Sequence, residues 1–185
     1  TVEAHQEDFA PDDEISDGDT ISGPGWTLEA VHTPGHMSNH HCFTLKEQNL
    51  LFSGDHVMGW NTTIVSPPDG NMRDYMDSLR VCLDRDEDLY LPGHGPAITN
   101  TKPFVRAYLN HRQMREGQIA KFLNEGADTI PELVRRMYTH LPEKMHGAAA
   151  RSVQAHMEHM VETDRAVCDG PVRADSVFAP GPGAG

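Results

Sequence analysis

From Trp26 the chain alternates: Trp26, Leu28 and Ala30 fall on one side, Thr27 and Glu29 on the other. A period of two predicts a strand. Thr33-Pro34-Gly35 interrupts the pattern, "HCFTL" (residues 41–45) resumes it, and "NLLFSGD" (49–55) is a short apolar run ending in a turn. Three strands joined by short turns predict part of a sheet with one well-buried face. The opening twenty-odd residues are acidic and turn-rich and read as loop, with room for a short edge strand. The period then changes. Met72, Tyr75, Met76, Leu79 and Leu83 recur at helical spacing behind Asn71, a helix-capping residue type. "DLYLPGHGP" follows as another short strand, broken at Pro92. Strands, helix and strand in this order predict α/β layers.

From Thr101 onward the pattern is helical. Pro103 and Gly126 frame a first helix in the positions helices prefer for them. Thr129 and Glu132 have the spacing of a capping box at the start of a second. A third spans roughly Met145 to Thr163, with Val153, Met157, Met160 and Val161 inward. "RAVCDGPVR" (165–173) reads as two strands around Asp169-Gly170, a tight-hairpin signal. Three helices and a hairpin are the order of a small winged-helix domain. The tail "APGPGAG" is low in complexity and is expected to be disordered. Met72, Met76, Met137, Met157 and Met160 are core filling at helical spacing. Asp84, Asp86, Glu87 and Asp88 form a solvated loop, because their spacing is not that of a calcium-binding loop.

Composition narrows the function classes. With 185 residues the chain can bury a real core, as one domain or two small ones. Acidic residues outnumber basic ones 28 to 15, a formal net charge of −13, which repels phosphate backbones at long range. DNA binding is therefore not expected, and Arg151 stands nearly alone as a cation on the presumed recognition helix. Three cysteines without a close pair (Cys42, Cys82, Cys168) support neither a disulfide framework nor a cysteine-rich zinc knuckle; a reducing cytoplasm fits them. No apolar run is long enough to cross a bilayer, and the first residues lack the basic and apolar regions of a signal peptide.

The candidate chemistry lies in "HTPGHMSNHH" (32–41), four histidines around a Pro-Gly turn. His32 and His36 are four apart, but Pro34 and Gly35 argue against a helix here, so the helical two-histidine zinc pattern does not apply. His36 instead sits where a strand ends in a tight turn, fixed by backbone. "FSGD" delivers Asp55 the same way, and "LPGHGP" delivers His94 between glycines and prolines. Two imidazoles and a carboxylate at strand ends are a partial ligand set for zinc.

In this order and spacing, "TPGH", "FSGD" and "PGHGP" resemble the last three metal-binding motifs of the metallo-β-lactamase superfamily of hydrolases. "TPGHMSNHH", "SGDHVMGWNTT", the "YMDSL" helix and "HRQMRE" resemble its lactamase-β-like branch, which carries a C-terminal winged-helix domain. The resemblance implies that His36 holds one metal, Asp55 bridges two, and His94 holds the second. It implies two zinc ions, with manganese or iron as alternatives, and hydrolysis of a small-molecule ester, thioester or phosphodiester by metal-activated water. The superfamily's first motif, His-x-His-x-Asp-His, is not among these residues; His5 with Asp8 does not have its spacing. The chain therefore reads as a C-terminal portion of a longer protein, inactive or metal-poor alone. The expected architecture is α/β: the second half of an αββα sandwich over residues 1–100, a winged-helix domain with its linker helix over 101–178, and a disordered tail over 179–185.

Other histidines carry weaker expectations. His40 matches a second histidine of the branch and is open between a place behind the ligands, a substrate contact and an ordinary strand-start position. His41 and His56 are assigned to structure or surface. His156 and His159, three apart on a helix, are read as having no accompanying acid or third ligand, and so as a solvated or partly packed face. His111, Arg112 and Arg115 either stitch the linker helix to the first domain or line the cleft, the former preferred. The winged helix is expected to pack beside the active-site mouth or to mediate a homodimer. The competing function is a non-enzymatic winged-helix interaction or regulatory module, which calls for a basic helix face and has no use for three metal-type motifs.

Overall fold

The computed structural model describes residues 10 to 183; His5 and Asp8 lie outside them. Its first unit is a five-stranded sheet in the order β1 (Thr20–Gly23), β2 (Trp26–His32), β3 (His41–Leu45), β4 (Leu50–Gly54), β5 (Leu89–Pro92). Neighbours from β1 to β4 run antiparallel. β4 and β5 are parallel and need a crossover, which α1 (Met72–Asp84) supplies. Asn71 caps that helix, its side chain accepting the Asp74 amide at 3.1 Å. β1 is the edge strand expected at the end of the acidic opening segment.

The strand alternation is as predicted, but the well-buried side is the other one. Val31, Cys42, Leu51 and Tyr90 point at α1 and the first half of α2 (Thr101–Asn124), joining Tyr75, Leu79, Val105 and Tyr108 in one core. Trp26, Leu28 and Ala30 belong to the opposite face. There Ala30 and Leu50 are buried, yet Ile21, Trp26 and Phe52 remain 51 %, 39 % and 40 % exposed. Both faces of the sheet are apolar, so period two marks strands here without saying which side meets the helices. Among the described residues this unit is one sheet layer and one helix layer.

A second core gathers Ile119 and Leu123 of α2 with α3 (Ile130–Met137), α4 (His146–Glu162) and the ribbon of β6 (Ala166–Cys168) and β7 (Phe178–Pro180). α2 thus runs through both cores, and α4 also reaches the first through Ala155.

Four details differ from expectation. Thr129 precedes α3 without a side-chain cap, and Glu132 turns to Arg136, one helical turn on. β6 pairs with residues 178–180 rather than 171–173, so Asp169-Gly170 opens a long loop instead of a tight hairpin. The start of the proposed tail is therefore ordered. Gly181 and Gly183 donate to the carbonyls of Arg165 and Asp164, and a Cβ at Gly181 would lie 2.2 Å from the latter, so glycine is what lets the chain return here. Glu87 is not solvated: it is 5 % exposed and accepts from Thr44 and Arg85.

Candidate metal centre

Three turns bring His36, Asp55 and His94 to one end of the sheet. The Pro34-Gly35 turn is docked on α1: Ser78 donates to the Pro34 carbonyl at 2.8 Å and the Asn71 amide to that of Gly35 at 2.9 Å. Gly35 has φ +129°, and a Cβ there would lie 2.3 Å from the Tyr75 backbone. Only glycine fits. His36 then donates from Nδ1 to the Ile64 carbonyl at 2.6 Å, which leaves Nε2 as the lone-pair nitrogen.

Asp55 follows Gly54, whose φ is +51°. The Gly93 amide bonds the Gly54 carbonyl at 2.8 Å, and a Cβ on Gly93 would lie 2.8 Å from Asp55 Oδ1. The glycine before His94 thus makes room for the carboxylate. His94 itself is tied by its carbonyl, which accepts the Gly59 amide at 2.8 Å.

The two imidazoles face different oxygens of one carboxylate. His36 Nε2 is 3.9 Å from Asp55 Oδ2, and His94 Nε2 is 3.7 Å from Oδ1. Both gaps exceed a hydrogen bond, and Oδ1 is buried with no hydrogen-bond partner. Donors sharing a tetrahedral ion at bond lengths near 2 Å stand roughly 3.3–3.6 Å apart, so these slightly wider gaps leave room for a cation between each pair that a small inward movement would close on. Each position would take only two donors from this chain. Among the described residues no group of three or more His, Cys, Asp or Glu is placed to hold one ion. An orphaned carboxylate oxygen and an imidazole in the ligating tautomer are consistent with metal.

The cleft at this end has a volume of about 490 Å³ and is lined, besides these three, by Met58, Trp60, Asn61, Thr62, Thr63 and Ile64. Trp60 and Ile64 are 65 % and 66 % exposed, and among the described residues no lysine or arginine lines the space. Most of these residues fall in "SGDHVMGWNTT", legible in the sequence as a motif but not as a cleft wall; that role of its large apolar side chains shows only once the loop is seen to border His36, Asp55 and His94.

That loop is tethered from behind. Tyr75 donates to the His56 carbonyl at 2.8 Å, Thr63 to the Asp55 carbonyl at 2.7 Å, and Arg112 to the Thr63 carbonyl. Arg112 is 3 % exposed and stacks over the Tyr75 ring at 5.0 Å, so it stitches the linker helix to the site loop. Arg115 instead covers the Tyr138 ring within the C-terminal unit. At His111, burial foremost and then Arg112 bring the pKa down to about 4.

His40 lies behind Asp55, outside the cleft lining: its Nε2 accepts the Asp55 amide at 3.2 Å. Burial first, then His36, lowers its pKa to about 4. His56 is fully buried, with its ring edge-on to Tyr75, and burial holds it down at about 3. His41 stacks on His32 with centroids 4.7 Å apart.

His156 and His159 do have an acid, supplied from another helix. Both donate from Nδ1 to Glu116 Oε1, at 3.3 and 2.8 Å, and Arg165 meets Oε2 at 2.6 Å. Glu116 and His156 are each 2 % exposed, so this is a buried polar cluster rather than a solvated face. Burial pushes the Glu116 carboxyl up, but the hydrogen bonds from His156, His159 and Arg165 outweigh it and hold it well below the usual range. No sequence-local signal announces a partner forty residues away.

The family described as the metallo-beta-lactamase superfamily matches residues 3–94, and the beta-lactamase associated winged helix domain matches residues 129–172. A beta-lactamase-like protein 2 homolog of Caenorhabditis elegans is 34 % identical over 76 % of this chain and 46 % of its own length. An atrochrysone carboxyl ACP thioesterase of Aspergillus fumigatus is 35 % identical over 69 % of this chain and 43 % of its own. The chain spans about half the length of the curated relatives it matches. A beta-lactamase domain protein from Burkholderia ambifaria shares the fold with a TM-score of 0.81 at 21 % identity, covering 91 % of this chain and 52 % of that one. A metallo-beta-lactamase family protein from Thermus thermophilus does so at 0.77 and 22 %, covering 90 % and 53 %.

Proposed function

This chain belongs to the metallo-beta-lactamase superfamily and carries the winged-helix domain associated with it, and from that premise we propose that it supplies half of the active site of a dinuclear, metal-dependent hydrolase. His36 and His94 would each hold an ion, and Asp55 between them would be shared by both. Zinc suits this nitrogen and oxygen set, and manganese or iron would be accepted by the same donors. When bound there, divalent ions would supply Lewis acidity and lower the pKa of water for hydrolysis. The observation that carries the reading is the approach of two imidazole Nε2 atoms to opposite oxygens of one carboxylate, at 3.9 and 3.7 Å.

The chain's own residues do the positioning. The Ile64 carbonyl fixes the His36 tautomer, and the glycines at 54 and 93 let Asp55 sit close to the strand ends. The remaining donors would arrive on a second sheet laid over the half-exposed face of Ile21, Trp26 and Phe52. Trp60, Met58 and Ile64 offer an apolar wall to an acyl group, and the described lining residues include no lysine or arginine to pair with a phosphodiester beside the ions. Ester or thioester substrates are therefore favoured, in keeping with the thioesterase named among the relatives.

The test is hydrolysis of matched ester, thioester and phosphodiester substrates by the longest natural polypeptide containing this chain, loaded with zinc. The acyl substrates should turn over fastest, and Asp55→Ala should lower their kcat/KM by at least about a hundredfold. Equal rates in Asp55→Ala would refute the assignment.

A further inference from the structure

Behind the site, three side chains (His40, Thr33 and Cys42) form a one-way chain of hydrogen bonds between two backbone groups. Asp55 N–H can only donate, so His40 Nε2 carries a lone pair. A neutral imidazole then bears its hydrogen on Nδ1, which lies 2.9 Å from Thr33 Oγ1 and must donate to it. The single S–H of Cys42 is directed at the Ser53 carbonyl, so the Thr33 hydroxyl, which does not donate to His40, donates to Cys42 Sγ at 3.3 Å. Cys42 in turn donates to the Ser53 carbonyl at 3.5 Å. The reverse direction fails: it would leave His40 without a hydrogen on either nitrogen. The relay begins at the amide of Asp55, just past β4, and ends two residues earlier at the Ser53 carbonyl within it, so it ties together the backbone on either side of Gly54. Cys42 and Thr33 are fully buried, and a Cβ on Gly54 would lie 2.7 Å from His40 Nε2, so water has little access and the imidazole sits against the turn itself.

We propose that His40, locked as the Nδ1–H tautomer by Thr33 and Cys42, is a positioning residue that fixes the main chain of Asp55 so that its carboxylate presents one oxygen to His36 and the other to His94. It touches neither substrate nor the cleft. The proposal rests on the metal-centre reading for its purpose, while the relay itself does not depend on metal.

Ring-nitrogen NMR of the metal-free chain, with amide exchange at Asp55, tests the relay directly. The expected result is an Nδ1–H, Nε2-acceptor signature for His40 and a protected Asp55 amide. His40→Leu should speed exchange at Asp55 at least about tenfold and weaken Co²⁺ binding about 10- to 100-fold with its melting cooperativity retained. His40→Gln, which puts an acceptor back near the Asp55 amide, should recover part of both. An Nε2–H tautomer in the wild type overturns the proposal even if His40→Leu fails to fold. So does Asp55 exchange in His40→Leu within twofold of wild type. A wild-type chain that shows the tautomer and protection but takes up no Co²⁺ would count against the metal reading and leave the relay standing.

Discussion

The hydroxyl of Tyr108, on the helix that leads into the winged-helix unit, donates to the Met58 carbonyl of the site loop at 2.6 Å and to that of Asn61 as well. Tyr108 is 5 % exposed, and four residues on, Arg112 takes the Thr63 carbonyl. One face of α2 therefore holds the loop that lines the cleft. Tyr108→Phe should cost about 1–2 kcal/mol by leaving backbone carbonyls without a donor. Urea midpoints give the stability, and amide exchange should rise over residues 58–63 ahead of the sheet. A variant with wild-type exchange there would show that the loop holds itself.

Glycines divide sharply by position. Gly35→Ala puts a methyl onto the Tyr75 backbone at a φ of +129°, and should cost at least about 2 kcal/mol. Gly117 lies inside α2 with nothing within 4 Å of an added Cβ. There Ala should stabilise by about 0.5–1 kcal/mol. Thermal or urea unfolding of the two variants should move in opposite directions; movement in the same direction would contradict the turn geometry at Gly35.

Glu116 is the sole carboxylate bonded to His156, His159 and Arg165 among the described residues. Removing it strands a guanidinium that is 30 % exposed and a buried imidazole. Glu116→Ala should destabilise by about 3 kcal/mol, less if Arg165 swings to solvent. A loss below about 1 kcal/mol in a urea titration would mean the cluster is no more than a surface pair.

Acid sensitivity follows from histidines buried neutral. Burial holds His111 down at about 4 and lowers His156 as well, although Glu116 opposes the latter shift. Between the ordinary histidine value of about 6.5 and these lowered values, the unfolded chain takes up protons that the folded chain declines. Stability therefore falls as pH drops from about 6.5 towards 4. His111→Gln should flatten that fall when urea midpoints at pH 7 and pH 5 are compared. An unchanged slope would assign the sensitivity to other groups.

Much of this architecture is legible in the sequence because its signals are local. Alternation marks β2 and β3, Asn71 announces α1, and three Gly-flanked turns give away His36, Asp55 and His94. What escaped is non-local. Which side of the sheet meets the helices could not be read where both sides are apolar. The β6 partner lies past a nine-residue stretch, 169–177, so Asp169-Gly170 pointed to the wrong strand. The acid that meets both His156 and His159 comes from α2, and the cleft wall of Trp60 and Ile64 acquires meaning only beside His36, Asp55 and His94.

The central claim is that His36, Asp55 and His94 converge on cation positions. Paramagnetic Co²⁺ added to the ¹⁵N-labelled chain reads this even when binding is weak. Broadening should centre on residues 36, 55 and 94 and vanish in a folded Asp55→Ala variant. Broadening centred elsewhere, or persisting at these residues without the carboxylate, would contradict it.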